Sequence, residues 1–159
     1  VGFNVSMRTG YGRSLVGTPA VMRVPHIKSK NISICCAINK NEVISYTSQR
    51  FAFNTSSFGS FLEQLFIDLQ ERNICEGVLI MDNVSFHHAR AIKAIVDRYP
   101  SFTILFLPPY SPFLNPIENM FSKWKNIVKR GNPTDEAMMT DLIETGRNLI
   151  SQRDCESYF

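Results

Sequence analysis

Two carboxylates, Asp82 and Glu118, lie where the sequence predicts the end of a strand and the start of a helix. Asp82 closes the apolar run "GVLIMD" (77–82), and Glu118 follows the proline-rich stretch "LPPYSPFLNP" (107–116). Hard cations such as Mg²⁺ take oxygen ligands, often one or two carboxylates together with substrate phosphates. Because functional groups of open α/β sheets gather beyond the carboxyl ends of the strands, we expect Asp82 and Glu118 to approach one point, which is the arrangement that a divalent metal requires.

Each of these residues also has a simpler structural explanation. Asn115 and Glu118 fit the N-cap and third helical positions of a capping box, with a proline between them at the first helical position. Asp82 and Asn83 suit a strand end that caps the next helix, and His87 suits the start of that helix. From these residues alone, capping and metal binding both stay open.

The spacing of apolar residues predicts the elements that position these side chains. Three short β-rich segments, separated by turn-length gaps and including a hairpin turn at 39–42, predict an antiparallel meander; they are residues 18–25, 31–39 and 42–50. Helical spacing predicts a helix from Asn54 to Arg72, with Thr55 or Ser56 as its N-cap.

The second half of the chain alternates between strand and helix patterns. We expect strands at 77–82 and 102–108, both buried on two faces, and helices at 87–99 and 116–130. Thr134 is expected to cap a last helix whose inward side chains are Met138, Leu142, Leu149 and Ile150. Two strand–helix units predict parallel pairing, so the fold class is α/β: a mixed sheet, with a three-strand antiparallel meander plus two parallel strands, and helices on both faces.

Composition predicts one globular domain over residues 1–159. Hydrophobic residues make up 44% and charged residues 19% of the chain. There is no membrane-length apolar run and no secretory signal pattern. The four cysteines show no CxxC spacing, which favours reduced thiols and an intracellular protein. We expect the nucleus if the source is eukaryotic and the cytoplasm if it is bacterial.

Positive charge is concentrated in the first third of the chain. Residues 1–50 carry seven Lys or Arg residues against the single acid Glu42. This balance suits a polyanion such as DNA, with Arg8, Arg13 and Arg23 as candidate contacts. A solvated strand face explains the same charges equally well.

Two motifs extend the interpretation of the carboxylates. "MDNVSFHH" (81–88) and "LPPYSPFLNPIENMFSKWK" (107–125) resemble the catalytic core of the Tc1/mariner and IS630-like DDE transposases, and 35 residues lie between Asp82 and Glu118, close to that superfamily's usual interval. The stretch "GFNVSMRTGYGRSLVGTPA" (2–20) is also similar, so the resemblance covers residues 2 to about 130.

The resemblance implies an RNase H-like fold and metal-dependent DNA cleavage and strand transfer during DNA transposition. It implies Asp82 and Glu118 as catalytic metal ligands for two Mg²⁺ or Mn²⁺ ions. DNA would be the partner, as transposon ends and target, and the full-length protein would act as a homodimer. Side chains that support the ligands or approach substrate would be Asn83, His87 and Asn115, and further DNA contacts would come from Lys123 and Lys125.

The sequence departs from this family pattern at one point. The family's triad is Asp, Asp, Glu, but no Asp precedes Asp68 here, and Asp68 lies in a predicted helix. We expect the chain to begin one or two residues after its own first ligand, and therefore to be inactive by itself. The alternative is a degenerate or domesticated transposase relic that binds DNA without cutting it.

Overall fold

A computed structural model describes residues 1–7, 12–21, 31–109 and 111–159 of the chain. The strands and helices are β1 (Gly2–Phe3), β2 (Ile32–Ile38), β3 (Val43–Gln49), α1 (Thr55–Glu71), β4 (Gly77–Met81), α2 (Arg90–Val96), β5 (Phe102–Phe106), α3 (Pro116–Arg130), α4 (Glu136–Asn148) and α5 (Gln152–Tyr158).

The first sheet is an antiparallel meander in the order β1-β2-β3. Its hairpin turn lies at 39–42 as predicted, and the Asn39 side chain accepts hydrogen bonds from two backbone N–H groups of the turn. The predicted strand at 18–25 is wrong in its described part, because residues 18–21 form no strand and 22–25 lie outside the described residues. The third strand is instead β1, which pairs Phe3 with Ile32 and buries the Phe3 ring completely.

The second sheet confirms the predicted parallel pair. Strands β4 and β5 run in register from the pair Gly77 and Phe102 to the pair Met81 and Phe106. The helix predicted at 87–99 is shorter than expected: a 3-10 turn at Ser85–His88 is separated from α2 by Ala89, whose backbone is extended (φ −60°, ψ 139°). The turn therefore lies directly beside the end of β4.

Helices cover both faces of the first sheet and one face of the second. Helices α1 and α2 enclose one core with side chains of β3, in which Phe58, Phe61, Leu62, Leu65, Phe66 and Ile92 are buried. Asn54, and neither Thr55 nor Ser56, is the N-cap of α1, since its side chain and that of Ser57 form a reciprocal capping box. Asn54 is the N-cap because its side-chain oxygen accepts from the backbone N–H of Ser57, the third helical residue.

Trp124 anchors α3 against the other core. Its side chain is fully buried, its indole N–H donates to the Ile143 carbonyl at 2.8 Å, and its ring meets Phe3 and Tyr46 edge-on. Gly146 allows this close approach, because a Cβ there would lie 2.6 Å from Trp124 Cδ1. Helix α3 thus takes its position from α4 and from β1–β3.

The orientation predicted for the last helix is partly wrong. Asp135, not Thr134, caps α4 by accepting from the Met138 N–H at 2.8 Å. The buried side chains are Met139 and Ile143. Leu142 and Ile150 pack at the edge of the core as expected, but Leu149 is 56% exposed. The contact of Gly146 with Trp124 explains the rotation, since it sets which face of α4 lies against α3.

Strands β4 and β5 were expected to be buried on both faces, but one face is exposed. Val78 is 59%, Ile80 48% and Leu105 53% exposed, whereas Leu79 and Ile104 on the opposite face pack against the core of α1 and α2. No described helix covers the exposed face. Among the described helices, none has the length and apolar character that crossing a bilayer needs.

Candidate functional site

Asp82 and Glu118 line one cavity of about 560 Å³. The cavity lies between the edges of β2 and β4, and Val1 also borders it. Asp82 follows the last residue of β4, and Glu118 is the third residue of α3, which follows β5. The neighbouring parallel strands therefore bring both carboxylates to the same sheet edge, as predicted from their positions in the sequence.

Asp82 is held by His87. The His87 Nδ1–H lies 3.0 Å from the Asp82 backbone carbonyl oxygen and 3.0 Å from its carboxylate Oδ1, so one donor bridges both acceptors. This hydrogen bond holds the pKa of Asp82 below its usual value. Asp82 is 57% exposed, so the carboxylate is fixed at one oxygen and open to the cavity.

The His87 ring is itself fixed by packing. It is 9% exposed, and its ring centre lies 4.3 Å from that of Phe58 in α1 and 4.5 Å from that of Phe86. The sequence predicted that Asn83 supports Asp82 and that His87 approaches a phosphate or a water. The hydrogen bond from His87 to Asp82 and the burial of His87 against Phe58 favour His87 as the support instead. Neither Asp82 nor Asn83 caps a helix, so the capping explanation does not hold for them.

Asn83 is oriented by a residue that sequence reasoning overlooked. The Asn83 side-chain oxygen contacts His88 Nε2, and the His88 ring packs on Phe106 at the end of β5 with 4.0 Å between ring centres. This arrangement ties the ends of β4 and β5 together. The adjacent pair of histidines was the feature of the sequence that could have indicated this role, because two neighbouring ring side chains that follow a strand can each contact a different face of the sheet.

Glu118 has a free carboxylate. It is exposed, and within the described ranges it forms no hydrogen bond or ion pair. Asn115 caps α3 by accepting from the Ile117 N–H at 3.4 Å, but Glu118 does not return a bond to Asn115. The capping box, the alternative explanation of Glu118, is therefore absent, and the carboxylate stays near the positive end of the helix dipole.

The Val1 amino group lies in the same cavity. It donates to the Ile34 carbonyl at 2.7 Å, which extends the pairing of β1 with β2 by one residue. Burial lowers the pKa of this amino group, while the negative charges of Glu118 and Asp82 act to raise it. Both carboxylates thus lie within electrostatic range of one nitrogen atom.

The side chains that line the cavity match the ligands of a hard divalent cation in part. Two exposed carboxylates face one cavity, but across the described stretches no group of three or more His, Cys, Asp or Glu residues is placed to hold a metal ion. The Cys35 thiol also lines the cavity, yet burial raises its pKa to about 12. A thiolate ligand or nucleophile at Cys35 is therefore disfavoured.

The candidate DNA contacts fall in different places. Arg8 and Arg23 lie outside the described residues, and Arg13 is exposed. Lys123 and Lys125 both lie on α3 and are partly buried. Of the three that the structure describes, only Lys123 and Lys125 share an element.

Comparison with known proteins identifies a family. The family described as "DDE superfamily endonuclease" matches residues 1–139. No curated protein matches the chain.

Solved structures of similar fold are transposase structures. The Mos1 transposase paired-end complex with left transposon end has a TM-score of 0.80 at 17% identity, over 99% of this chain and 48% of that chain. The Mos1 catalytic domain with Raltegravir and Mg has a TM-score of 0.74 at 16% identity, over 85% and 71%. The crystal structure of the Mos1 mariner catalytic domain has a TM-score of 0.72 at 17% identity, over 81% and 67%.

These likenesses confirm the expected RNase H-like, mixed α/β fold. The chain spans about half the length of the Mos1 chain in the paired-end complex. The structures of the Mos1 catalytic domain include forms with Mn and with Mg.

Proposed function

Because the chain belongs to the DDE superfamily endonuclease family, we propose that it is the catalytic domain of a DNA transposase. The reaction is cleavage of a phosphodiester bond by water at a transposon end, followed by attack of the freed 3′-hydroxyl on target DNA. The observation that carries the proposal is the meeting of Asp82 and Glu118 at one cavity beyond two parallel strands.

Asp82 and Glu118 would hold the divalent metal, Mg²⁺ or Mn²⁺, with two ions at the complete site. When bound, such ions stabilise charge on the attacking and leaving oxygens of an in-line displacement. His87 orients the Asp82 carboxylate through its Nδ1–H, and Asn115 fixes the first turn of α3 beneath Glu118. The buried ring of Trp124 keeps that turn in place.

A third carboxylate is part of this proposal. The edge of β2 that faces away from β3 is paired with β1 only at its start. From Cys35 to Ile38 this edge has no partner strand among the described residues, and neither has the edge of β4 that faces away from β5. A strand continuing β1 upstream of Val1 would run between these two edges. An Asp one or two positions before Val1 would then lie beside Asp82 and Glu118, because Val1 borders the same cavity as both.

The partners of the longer protein would be the transposon ends and target DNA, with a homodimer bringing two ends together. Complexes of Mos1, whose fold is similar, contain a left transposon end or a strand transfer assembly. Those proteins support DNA as the substrate class for this chain.

Glu118→Gln tests the ligand assignment. The neutral amide replaces an anionic ligand, so Mn²⁺ affinity should fall sharply, while the free energy of unfolding should change by less than about 1 kcal/mol because Gln is tolerated near a helix start. Isothermal calorimetry gives the first quantity and thermal unfolding the second. Equal Mn²⁺ affinity in the variant and the parent would remove Glu118 from the site.

Extension of the chain with its native upstream residues tests the third carboxylate. We expect the extended chain to bind Mn²⁺ more tightly and to nick DNA with Mn²⁺, while the 159-residue chain binds weakly and does not cut. Upstream residues without an Asp near Val1 would contradict the enzymatic proposal. Cutting by the 159-residue chain that Asp82→Ala abolishes would show that the third ligand is among the residues present.

A further inference from the structure

Helix α3 carries a second polar face beside the one that bears Glu118. An open groove of about 530 Å³ runs between α3 and α5, and its α3 side chains are Asn119, Ser122, Lys123, Asn126, Ile127 and Arg130. Apart from Ile127 these residues are polar or cationic, and the lining includes no acidic side chain. The polar positions recur every three to four residues, so they form one stripe along the helix.

The stripe has the length of a short stretch of nucleic acid backbone. From Asn119 to Arg130 the helix rises about 16 Å at 1.5 Å per residue. One strand of B-DNA advances about 3.4 Å per nucleotide, so the stripe matches about five nucleotides. It begins one residue after Glu118, at the end of the helix that faces the carboxylate pair.

The charge of α3 suits a polyanion. The helix contains Lys123, Lys125, Lys129 and Arg130, with Glu118 as its single acid. Arg130 is exposed and forms no ion pair within the part of the chain that the structure describes. Lys123 is different, because its Nζ contacts the Asp154 carboxylate of α5, which offsets one of the charges facing the groove.

We propose that the groove between α3 and α5 binds the sugar–phosphate backbone of DNA. Arg130 and Lys123 supply the cationic contacts, and Asn119, Ser122 and Asn126 donate hydrogen bonds to phosphate oxygens. The inference rests on the proposed function, since it supplies the surface along which DNA leaves the catalytic carboxylates. Phosphate contacts of this kind position DNA without reading its sequence, so binding is tolerant of sequence and sensitive to salt.

Two substitutions with opposite expected effects on DNA binding test the groove. Arg130→Gln removes one cation and should lower the slope of log affinity against log salt by about one unit. Asp154→Asn frees Lys123 and should raise affinity and steepen the slope. Fluorescence anisotropy with a labelled duplex of mixed sequence measures both, and thermal unfolding verifies that α5 stays in place.

Arg98→Gln is the matched control. Arg98 is exposed, lies just beyond α2 in an ion pair with Glu63, and is not among the residues that line the groove, so the same change of charge should leave the slope near that of the parent. The groove proposal is overturned if Arg130→Gln leaves the slope unchanged, if Arg98→Gln lowers it equally, or if the parent chain shows no salt-dependent DNA binding. Mn²⁺ titration separates the groove proposal from the proposed function. If metal binding at Asp82 and Glu118 is intact while Arg130→Gln leaves the slope unchanged, only the groove proposal fails.

Discussion

The two carboxylates are supported by different parts of the molecule. Residues 77–88, the β4 turn, hold Asp82 through a hydrogen bond from His87, a residue five positions along the chain. Residues 107–130, the α3 arm, carry Glu118 on a helix whose position depends on Trp124 and its contacts with β1, β3 and α4. One carboxylate is thus held by a partner close in the sequence, and the other takes its position from contacts of the core.

The difference has a consequence for mutation. A change of Asp82 should alter the site and leave the fold largely intact, because its side chain is 57% exposed. A change in the buried part of the α3 arm should alter the fold and the site together, because the same ring that stabilises the core also sets the position of Glu118.

Trp124→Ala should have the largest effect. It removes a fully buried ring and a hydrogen bond to Ile143, so the free energy of unfolding should fall by about 3–5 kcal/mol. Chemical denaturation measures the loss. Phe113→Ala is the control, since Phe113 is 81% exposed and its removal should cost little. A loss in Trp124→Ala as small as the loss in Phe113→Ala would show that Trp124 does not anchor α3.

Substitutions of His87 should affect metal binding more than stability. His87→Phe keeps the ring between Phe58 and Phe86 but lacks the donor to Asp82, so Mn²⁺ affinity should fall by about 10–100-fold, as for other residues that orient metal ligands. His87→Asn restores an N–H near the position of Nδ1 and should recover part of that affinity. Unchanged Mn²⁺ affinity in His87→Phe would mean that the hydrogen bond does not orient Asp82.

The smallest effect is expected where Lys123 of the α3 arm contacts Asp154 of α5. Contacts with Lys123 and Ser151 lower the pKa of Asp154 to about 2, from the ordinary value of 3.8. Since the folded pKa is depressed, the contacts contribute to stability above about pH 3.8, and that contribution is lost as the pH falls towards 2. NMR titration of the side-chain carboxyl measures this pKa. Lys123→Gln should move the midpoint upward, whereas a parent midpoint near 3.8 would show that the contact is absent in solution.

Local signals predicted much of the α3 arm. Asn115 as N-cap and Pro116 at the first helical position both agree, and α3 spans Pro116–Arg130 as expected. The parallel pairing of β4 and β5 followed from the strand–helix alternation. These features depend on neighbours in the sequence or on general rules of connection.

Long-range contacts decided what the sequence could not predict. The pairing of Gly2 with Ser33 makes β1 a strand, and no local pattern in a two-residue strand indicates this. The burial of His87 depends on Phe58 from another helix. The rotation of α4 depends on Gly146 lying under Trp124, a contact that helical periodicity alone does not contain.

The most direct test of the metal site is paramagnetic broadening by Mn²⁺ in NMR spectra of the ¹⁵N-labelled chain. Substoichiometric Mn²⁺ should broaden the amide signals of Asp82, Asn83, Glu118 and Gly2 first, because these residues border one cavity or adjoin a residue that does. Glu118→Gln should weaken the broadening at Asp82 as well, since the proposed ion would contact both carboxylates. Broadening centred on other acids, such as Asp68 and Glu71 of α1, would contradict the assignment of Asp82 and Glu118 as joint metal ligands.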